Sequence, residues 1–238
     1  MLQKIDGFGY QSTLLSAFHN VIHGFSVRSM GDMKDSTKNR ESYSHALGIL
    51  APPVLAEQVH GNRICLIDED LQNVVLGVDG LLSRGIPIAV VAADCVPVLL
   101  VDSAFHICAV VHAGWQGTLG GIVTNAVDRM VECGASLDAI VACIGPHIGM
   151  CCYDVPEERA SLFAKEYIDL PQVVSFFEGK WHLDIGCANY LQLVTSGILP
   201  DNIDAPPMCT SCQVNEFFSY RKDTKDTYGE IMGVIGFR

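Results

Sequence analysis

Basic side chains are scarce in this chain: 15 Lys and Arg stand against 27 Asp and Glu, a formal net charge of −12. Such a surface repels nucleic-acid phosphates and anionic lipid, so no nucleic acid and no membrane are expected as partners, although one local group of arginines can still hold a single phosphate. Charged residues are only 18% of the chain and hydrophobic residues 49%, which excludes disorder. A membrane span of roughly 20 uninterrupted apolar residues is missing; the longest candidate, Ile86 to Val101, carries Asp94. The opening Met1 to Gly7 lacks the apolar core of a secretory signal. The ten cysteines are therefore expected to be reduced thiols of a cytoplasmic protein rather than a secreted disulfide framework. Repeats, low-complexity tracts and linkers rich in Pro, Gly or Ser are absent too, and the 238 residues suit one large domain or two small ones, able to bury a substantial core.

What is present is a strand-rich centre bounded by helices. Strands are expected at Val21 to Val27, Val54 to Gln58, Arg63 to Ile67, Val78 to Leu82, Ile86 to Ala92, Val96 to Val101, Ile107 to His112 and Leu137 to Ile144. Near the end, Phe217 to Arg221 and Gly233 to Phe237 look like two more. Asp102 to Phe105 reads as a hairpin turn, and His60-Gly61-Asn62 as a hairpin or tight turn that leaves His60 at a strand end. Helices are expected from about Asn39 to Leu47, Thr118 to Cys133, Pro156 to Tyr167 and Cys187 to Ser196. In the second, Leu119, Ile122, Val123, Ala126, Val127 and Met130 recur at three and four, with Gly134 as terminator. Strands bunched between helices favour an α/β (α+β) layered domain. Cys65, Cys108 and Cys143 lie in apolar stretches and read as core thiols.

Three polar residues interrupt those apolar runs. Cys95 follows the run Ile86 to Ala93, His112 ends the run Ile107 to Val111, and His60 sits in a glycine-bearing bend. Two imidazoles and a thiol are one ligand short of a closed structural zinc site, the composition of a catalytic zinc with an open fourth position. The separations, 35 residues from His60 to Cys95 and 17 more to His112, match no zinc-finger spacing, so strand-end position carries the suggestion. The bland alternatives are hydrogen-bonded structural histidines and an inert buried thiol. Gly114 to Gly117, leading into a helix, offers backbone N–H groups to an anion, but it is neither a Walker A loop nor a G-x-G-x-x-G fingerprint. Close helix packing explains its glycines equally well. Cys209-Thr210-Ser211-Cys212 is a C-x-x-C and Cys151-Cys152 a vicinal pair; without a thioredoxin-like context or a second C-x-x-C, they read as structural thiols. Arg28 and Arg221 follow strand-like runs and are either solvated surface cations or an oxyanion clamp.

Taken together, these strings resemble the laccase-domain family, also called multicopper polyphenol oxidoreductases or YfiH-like proteins. The matching strings include His23-Gly24-Phe25-Ser26-Val27-Arg28, Asn39-Arg40, Gln58-Val59-His60-Gly61 and Val78-Asp79-Gly80-Leu81-Leu82. They continue through Ala93-Asp94-Cys95, His112-Ala113-Gly114-Trp115, Ile144-Gly145-Pro146, Cys151 to Val155 and Phe217 to Arg221. The resemblance implies one domain over residues 1–238, an α/β sandwich of mixed sheets flanked by helices, the YfiH-like or CNF1-like fold, with a metal site at His60, Cys95 and His112. Gln116 stands where the family usually has Arg, and the loop from Ser29 to Lys38 is short for the family.

Family members are described as purine nucleoside phosphorylases that also cleave methylthioadenosine and deaminate adenosine, as copper polyphenol oxidases, and as editors of peptidoglycan precursors. The expectation for this chain is a zinc enzyme that phosphorolyses adenosine, inosine, guanosine or methylthioadenosine and deaminates adenosine. Its partners would be a nucleoside and phosphate. His60, Cys95 and His112 would be both catalytic and metal-holding; Arg28, Gln116 and Arg221 would face substrate or phosphate. Asp79, Asp94 and His147 are candidate proton donors or orienters. Copper is the alternative ion, but a multicopper centre needs roughly ten histidines plus a cysteine. This chain has eight histidines and no H-x-H string. A Cys95 nucleophile with His112 as base gives a hydrolase as a third reading, and a small-molecule binding module is the non-enzymatic one.

Overall fold

The computed structural model describes residues 1–67, 73–168, 170–224 and 226–238. In chain order its strands begin β1 (Leu2–Ile5), β2 (Gly9–Ser12), β3 (Val21–Phe25), β4 (Val54–Ala56), β5 (Ile64–Ile67), β6 (Val74–Val75), β7 (Gly80–Ser83) and β8 (Ile88–Ala92). They continue as β9 (Val96–Asp102), β10 (Ile107–Ala113), β11 (Val141–Ile144), β12 (Asp154–Val155), β13 (Val174–Phe177), β14 (Lys180–Leu183), β15 (Ile203–Asp204) and β16 (Ile231–Phe237). The helices are α1 (Thr37–Ala46), α2 (Trp115–Leu119), α3 (Ile122–Glu132), α4 (Glu157–Glu166) and α5 (Ile185–Thr195).

Two mixed sheets stack face to face between helices. One has the order β1-β2-β3-β16-β8-β4-β6, the other β15-β11-β9-β10-β7-β5, and a third, small sheet is β12-β14-β13. The layering follows from the period-two alternation of each central strand. On β9, Val96, Val98 and Leu100 cluster with Ile122, Ala126, Val127 and Met130 of α3. The intervening Leu99 and Val101 cluster with Val90 and Ile235 of the other sheet. On that sheet's far face, Ala89, Met232 and Val234 pack with Tyr43 of α1. Strands buried on both faces read as unbroken apolar runs, which is why Ile86 to Val101 is so hydrophobic. Each such side chain contributes about 1.5–3 kcal/mol when fully buried. Cys108 and Cys143 lie in the inter-sheet core and Cys65 packs against it.

Three expectations need correction. The helix from Thr118 to Cys133 is two helices, because Gly121 takes the left-handed backbone conformation (φ 71°) that no α-helix continues through. His60 does not close a hairpin: β4 and β5 belong to different sheets, so His60 lies on a crossover between layers. Phe217 to Arg221 is a turn rather than a strand, since Asp223 accepts from the Ser219 N–H (2.9 Å) and Asp94 from the Arg221 N–H (2.7 Å). Those carboxylates take the donors that a ladder would need. The strands β1, β2, β12, β13 and β14 had no counterpart in the sequence reading; they are short and mostly half-exposed, with little periodic signal.

Candidate metal centre

Two inter-sheet crossovers and one strand end meet at a single rim of the sandwich. His60 lies between β4 and β5, and Cys95 between β8 and β9; in each case the chain passes from the seven-stranded sheet to the six-stranded one. His112 is on β10, opposite Pro97 of β9, and the Ala113–Val96 pair above it brings the Cys95 backbone beside Gly114. The result is that one ligand atom from each of His60, Cys95 and His112 lies within 4.8 Å of the other two. Gly114 makes room for this: a Cβ there would sit 3.0 Å from the His60 ring and 3.3 Å from Cys95 Sγ.

Asp79 organises the histidines. Its side chain is fully buried, and its carboxylate accepts from the backbone N–H of Val59 (3.2 Å), His60 (2.8 Å) and Gly61 (2.7 Å). It also accepts from His112 Nδ1 at 2.9 Å, which leaves Nε2 of that ring for the cluster. His60 itself has a left-handed backbone (φ 60°), a conformation costing on the order of 1 kcal/mol that the Asp79 bonds offset. Asp94 is the second such residue (φ 81°). Its carboxylate accepts from Thr210 Oγ1 (2.6 Å), Ser219 Oγ (3.1 Å) and the Arg221 N–H (2.7 Å), and so holds the bend that presents Cys95. Of the four non-glycine residues with positive φ among the described residues, His60 and Asp94 thus each lie in or beside a member of the cluster.

The electrostatics couple the three groups. Burial alone would push the Cys95 thiol up, but the His112 and His60 imidazoles outweigh it and bring the thiol down to about 7. Burial likewise opposes charge on His112, yet the Cys95 sulfur and the Asp79 carboxylate raise that imidazole to about 10. His60 is raised, chiefly by its hydrogen bond to Cys95. For Asp79, burial is outweighed by His112 and the backbone donors, and its carboxyl lies below the usual range. Without an ion, each group thus favours the charged form of the other, a thiolate on Cys95 and an imidazolium on His112. A sulfur and two nitrogens at these separations, backed by a carboxylate on the far side of one imidazole, fit Zn²⁺ with an open position. The exposed face is that of His60; Cys95 is half-buried and His112 buried.

The cluster lines a cleft of about 840 Å³, a volume suited to a small organic substrate. Trp115, Tyr153, Tyr220 and Tyr228 supply aromatic wall, and Arg159 and Arg221 supply cations. Of the three residues expected to face substrate or phosphate, only Arg221 lines the cleft, and its guanidinium is engaged with Asp154. Arg28 lies outside that lining. Its guanidinium pairs with Asp223 (2.6 Å), donates to the Phe217 carbonyl (2.9 Å) and stacks on Phe218, so it braces the C-terminal turn. Gln116 is also outside the lining, on the five-residue α2, where the neighbouring Gly117 packs so tightly that a Cβ would meet the Gly61 carbonyl oxygen at 2.6 Å. Close packing is what these glycines serve. His147 is buried, bonded through Nδ1 to the Gly145 carbonyl (2.8 Å), and does not line the cleft. Asp79 and Asp94 have their oxygens taken by donors and act as orienters. Arg159 was not anticipated: it sits on α4, stacks over Trp115 (4.4 Å) and donates to the Tyr153 hydroxyl (3.2 Å). Its spacing from Cys151 to Val155 gave no motif to find it by.

Residues 17–238 match the family model described as multi-copper polyphenol oxidoreductase laccase. The chain is 40% identical over 181 residues to adenosine deaminase RL5 of an unknown prokaryotic organism, covering 71% of this chain and 69% of that one. It is 37% identical over 168 residues to human purine nucleoside phosphorylase LACC1, covering 67% of this chain but only 38% of the human protein's length. The crystal structure of YlmD from Geobacillus stearothermophilus aligns over 100% of this chain and 98% of its own, with a TM-score of 0.86 at 28% identity. With the mixed α/β sandwich, the family model and these relatives in agreement, the chain belongs to the multi-copper polyphenol oxidoreductase laccase family, in its YfiH-like branch related to purine nucleoside phosphorylases.

Proposed function

We propose that this chain is a zinc-dependent purine nucleoside phosphorylase, acting on adenosine, inosine, guanosine or methylthioadenosine, with adenosine deamination as a second activity. The observation that carries the reading is the convergence of His60, Cys95 and His112 in a cleft that also holds cationic and aromatic side chains. His60, Cys95 and His112 would hold the ion, which would supply Lewis-acid polarisation of a substrate oxygen or a water. Asp79 keeps the proton on His112 Nδ1 and so fixes which nitrogen faces the cluster. The aromatic wall of Trp115, Tyr153, Tyr220 and Tyr228 suits a purine ring. Among the cations, Arg159 has no carboxylate partner among the described residues and is the group best suited to hold phosphate beneath the ribose. Arg221 serves the wall next to it.

The test is direct. Purified protein given inosine and phosphate should release hypoxanthine, adenosine alone should yield inosine and ammonia, and His112→Ala should abolish both. Undiminished turnover in His112→Ala would remove the cluster from the mechanism. Catechol oxidation by protein carrying stoichiometric copper would replace the reading with polyphenol oxidation.

One observation favours a second reading. A thiol lowered to about 7, an adjacent imidazole and a carboxylate behind that imidazole are the nucleophile, base and orienter of a cysteine hydrolase. An acyl-enzyme on Cys95 found by mass spectrometry would select it.

A further inference from the structure

A second group of soft ligands stands away from the first. Cys151 and Cys152 lie in the turn after β11, where the Cys152 N–H donates to the Gly149 carbonyl (3.0 Å). Cys209 and Cys212 flank a turn closed by the Gln213 N–H on the Cys209 carbonyl (3.1 Å). A bridge between His147 and Cys209 lays the two turns side by side. All four sulfurs fall within 4.8 Å of one another. Cys212 Sγ is 3.4 Å from Cys152 Sγ and 3.6 Å from Cys151 Sγ. The chain holds no second C-x-x-C; the fold supplies a vicinal pair in its place.

We propose that Cys151, Cys152, Cys209 and Cys212 form a second metal site, a closed tetrathiolate for a thiophilic divalent cation of the zinc class. A Zn–S bond of about 2.3 Å places neighbouring sulfurs of a tetrahedron about 3.8 Å apart, close to the two separations above. The donor set is all sulfur, which selects zinc over the hard cations that prefer oxygen. Core packing accounts for Cys209, which is buried, and in part for Cys152, which packs against the same core, but not for Cys151 and Cys212, which are exposed. The surroundings suit an anionic cluster. The Gly149 N–H donates to Cys209 Sγ (3.3 Å), and the Arg221 guanidinium lies on the Cys152 carbonyl (3.2 Å). A Cβ on Gly149 would contact Cys209 Cβ at 3.4 Å and Cys151 Sγ at 3.5 Å, so the turn is drawn close around the sulfurs. The site also has a structural consequence. Thr210, inside the C-x-x-C, donates to Asp94, the residue before Cys95. A cation at the four sulfurs would staple the turn that holds Asp94 in its left-handed conformation.

The experiment is elemental analysis of the purified protein together with alkylation of its native thiols. Wild type should carry two equivalents of zinc per chain, Cys151→Ser and Cys212→Ser one each, and His112→Ala one, the remaining ion being the tetrathiolate's. The exposed thiols of Cys151 and Cys212 should resist iodoacetamide in the native protein and react at least tenfold faster after a chelator is added. Cobalt loaded into His112→Ala should give the intense visible absorption of a tetrahedral thiolate complex, lost in the double variant with Cys212→Ser. Zinc content unchanged in both serine variants, immediate alkylation of Cys151 and Cys212 in wild type, or a disulfide between any two of the four in unreduced peptide maps would each overturn the proposal. Because the alkylation arm uses wild type alone, it decides the question even where a variant does not fold, and none of these outcomes bears on the His60–Cys95–His112 reading.

Discussion

His112 Nδ1 lies 2.9 Å from Asp79 Oδ1, and the same carboxylate gathers the backbone N–H groups of Val59, His60 and Gly61. One buried side chain thereby aims one imidazole by its ring proton and the other by its backbone. Asp79→Asn keeps the shape but converts an acceptor into a mixed donor and acceptor. It should weaken zinc binding about 10- to 100-fold and destabilise the fold by on the order of 2–4 kcal/mol. Chelator competition and urea unfolding read the two effects separately; unchanged affinity would show that Asp79 does not support the cluster.

The thiolate–imidazolium pair gives the metal-free protein a distinctive pH dependence. Cys95, lowered to about 7 from 9.0, contributes stability that is full above pH 9 and lost as pH falls through 7. His112, raised to about 10 from 6.5, contributes stability that is full below pH 6.5 and lost as pH rises through 10. The pair is therefore strongest between about pH 7 and pH 10. Urea midpoints of chelator-treated wild type should fall on both sides of that window relative to Cys95→Ser. Alkylation of Cys95 should reach half its maximal rate near pH 7; a half-rate near 9 would contradict the pairing.

Arg159 and Arg28 should separate cleanly in steady-state kinetics. Arg159→Ala removes the cation stacked on Trp115 and should raise the KM for phosphate roughly tenfold or more, with zinc content unchanged and partial recovery in Arg159→Lys. Arg28→Ala breaks a half-buried pair with Asp223 and should lower stability by on the order of 1–3 kcal/mol, leaving the KM for phosphate where it was. The reverse pattern would return the clamp to Arg28.

Gly117→Ala tests the packing behind His60. Its Cβ would approach the Gly61 carbonyl oxygen to 2.6 Å, so α2 or the His60 bend must move. Strain of about 1–3 kcal/mol is expected, with turnover falling more than stability because His60 is displaced from Cys95. Activity equal to wild type would show that the bend tolerates the shift.

How much of this was legible in the sequence depended on how local the signal was. The runs Ile86 to Val101 and Ile107 to Val111 announced buried central strands, and the three-and-four spacing from Ile122 to Met130 announced α3. Short edge elements such as β12 to β14 carry no such periodicity. The break at Gly120-Gly121 was hidden because the apolar spacing continues across it. Phe217 to Arg221 has the composition of a strand, but Asp94 and Asp223, remote in sequence, claim its donors.

Residue chemistry along the chain by itself set the layered α/β class, the apolar core and the presence of soft ligands beside strand ends, because burial pattern and ligand type are written one residue at a time. Only the tertiary structure decided which of those ligands meet. His60 and Cys95 come together because both crossovers leave the same sheet at the same rim, Asp79 joins them to His112, and Arg28 is spent on Asp223 instead. Such meetings depend on which strands become neighbours, and that is fixed by packing between segments far apart in sequence.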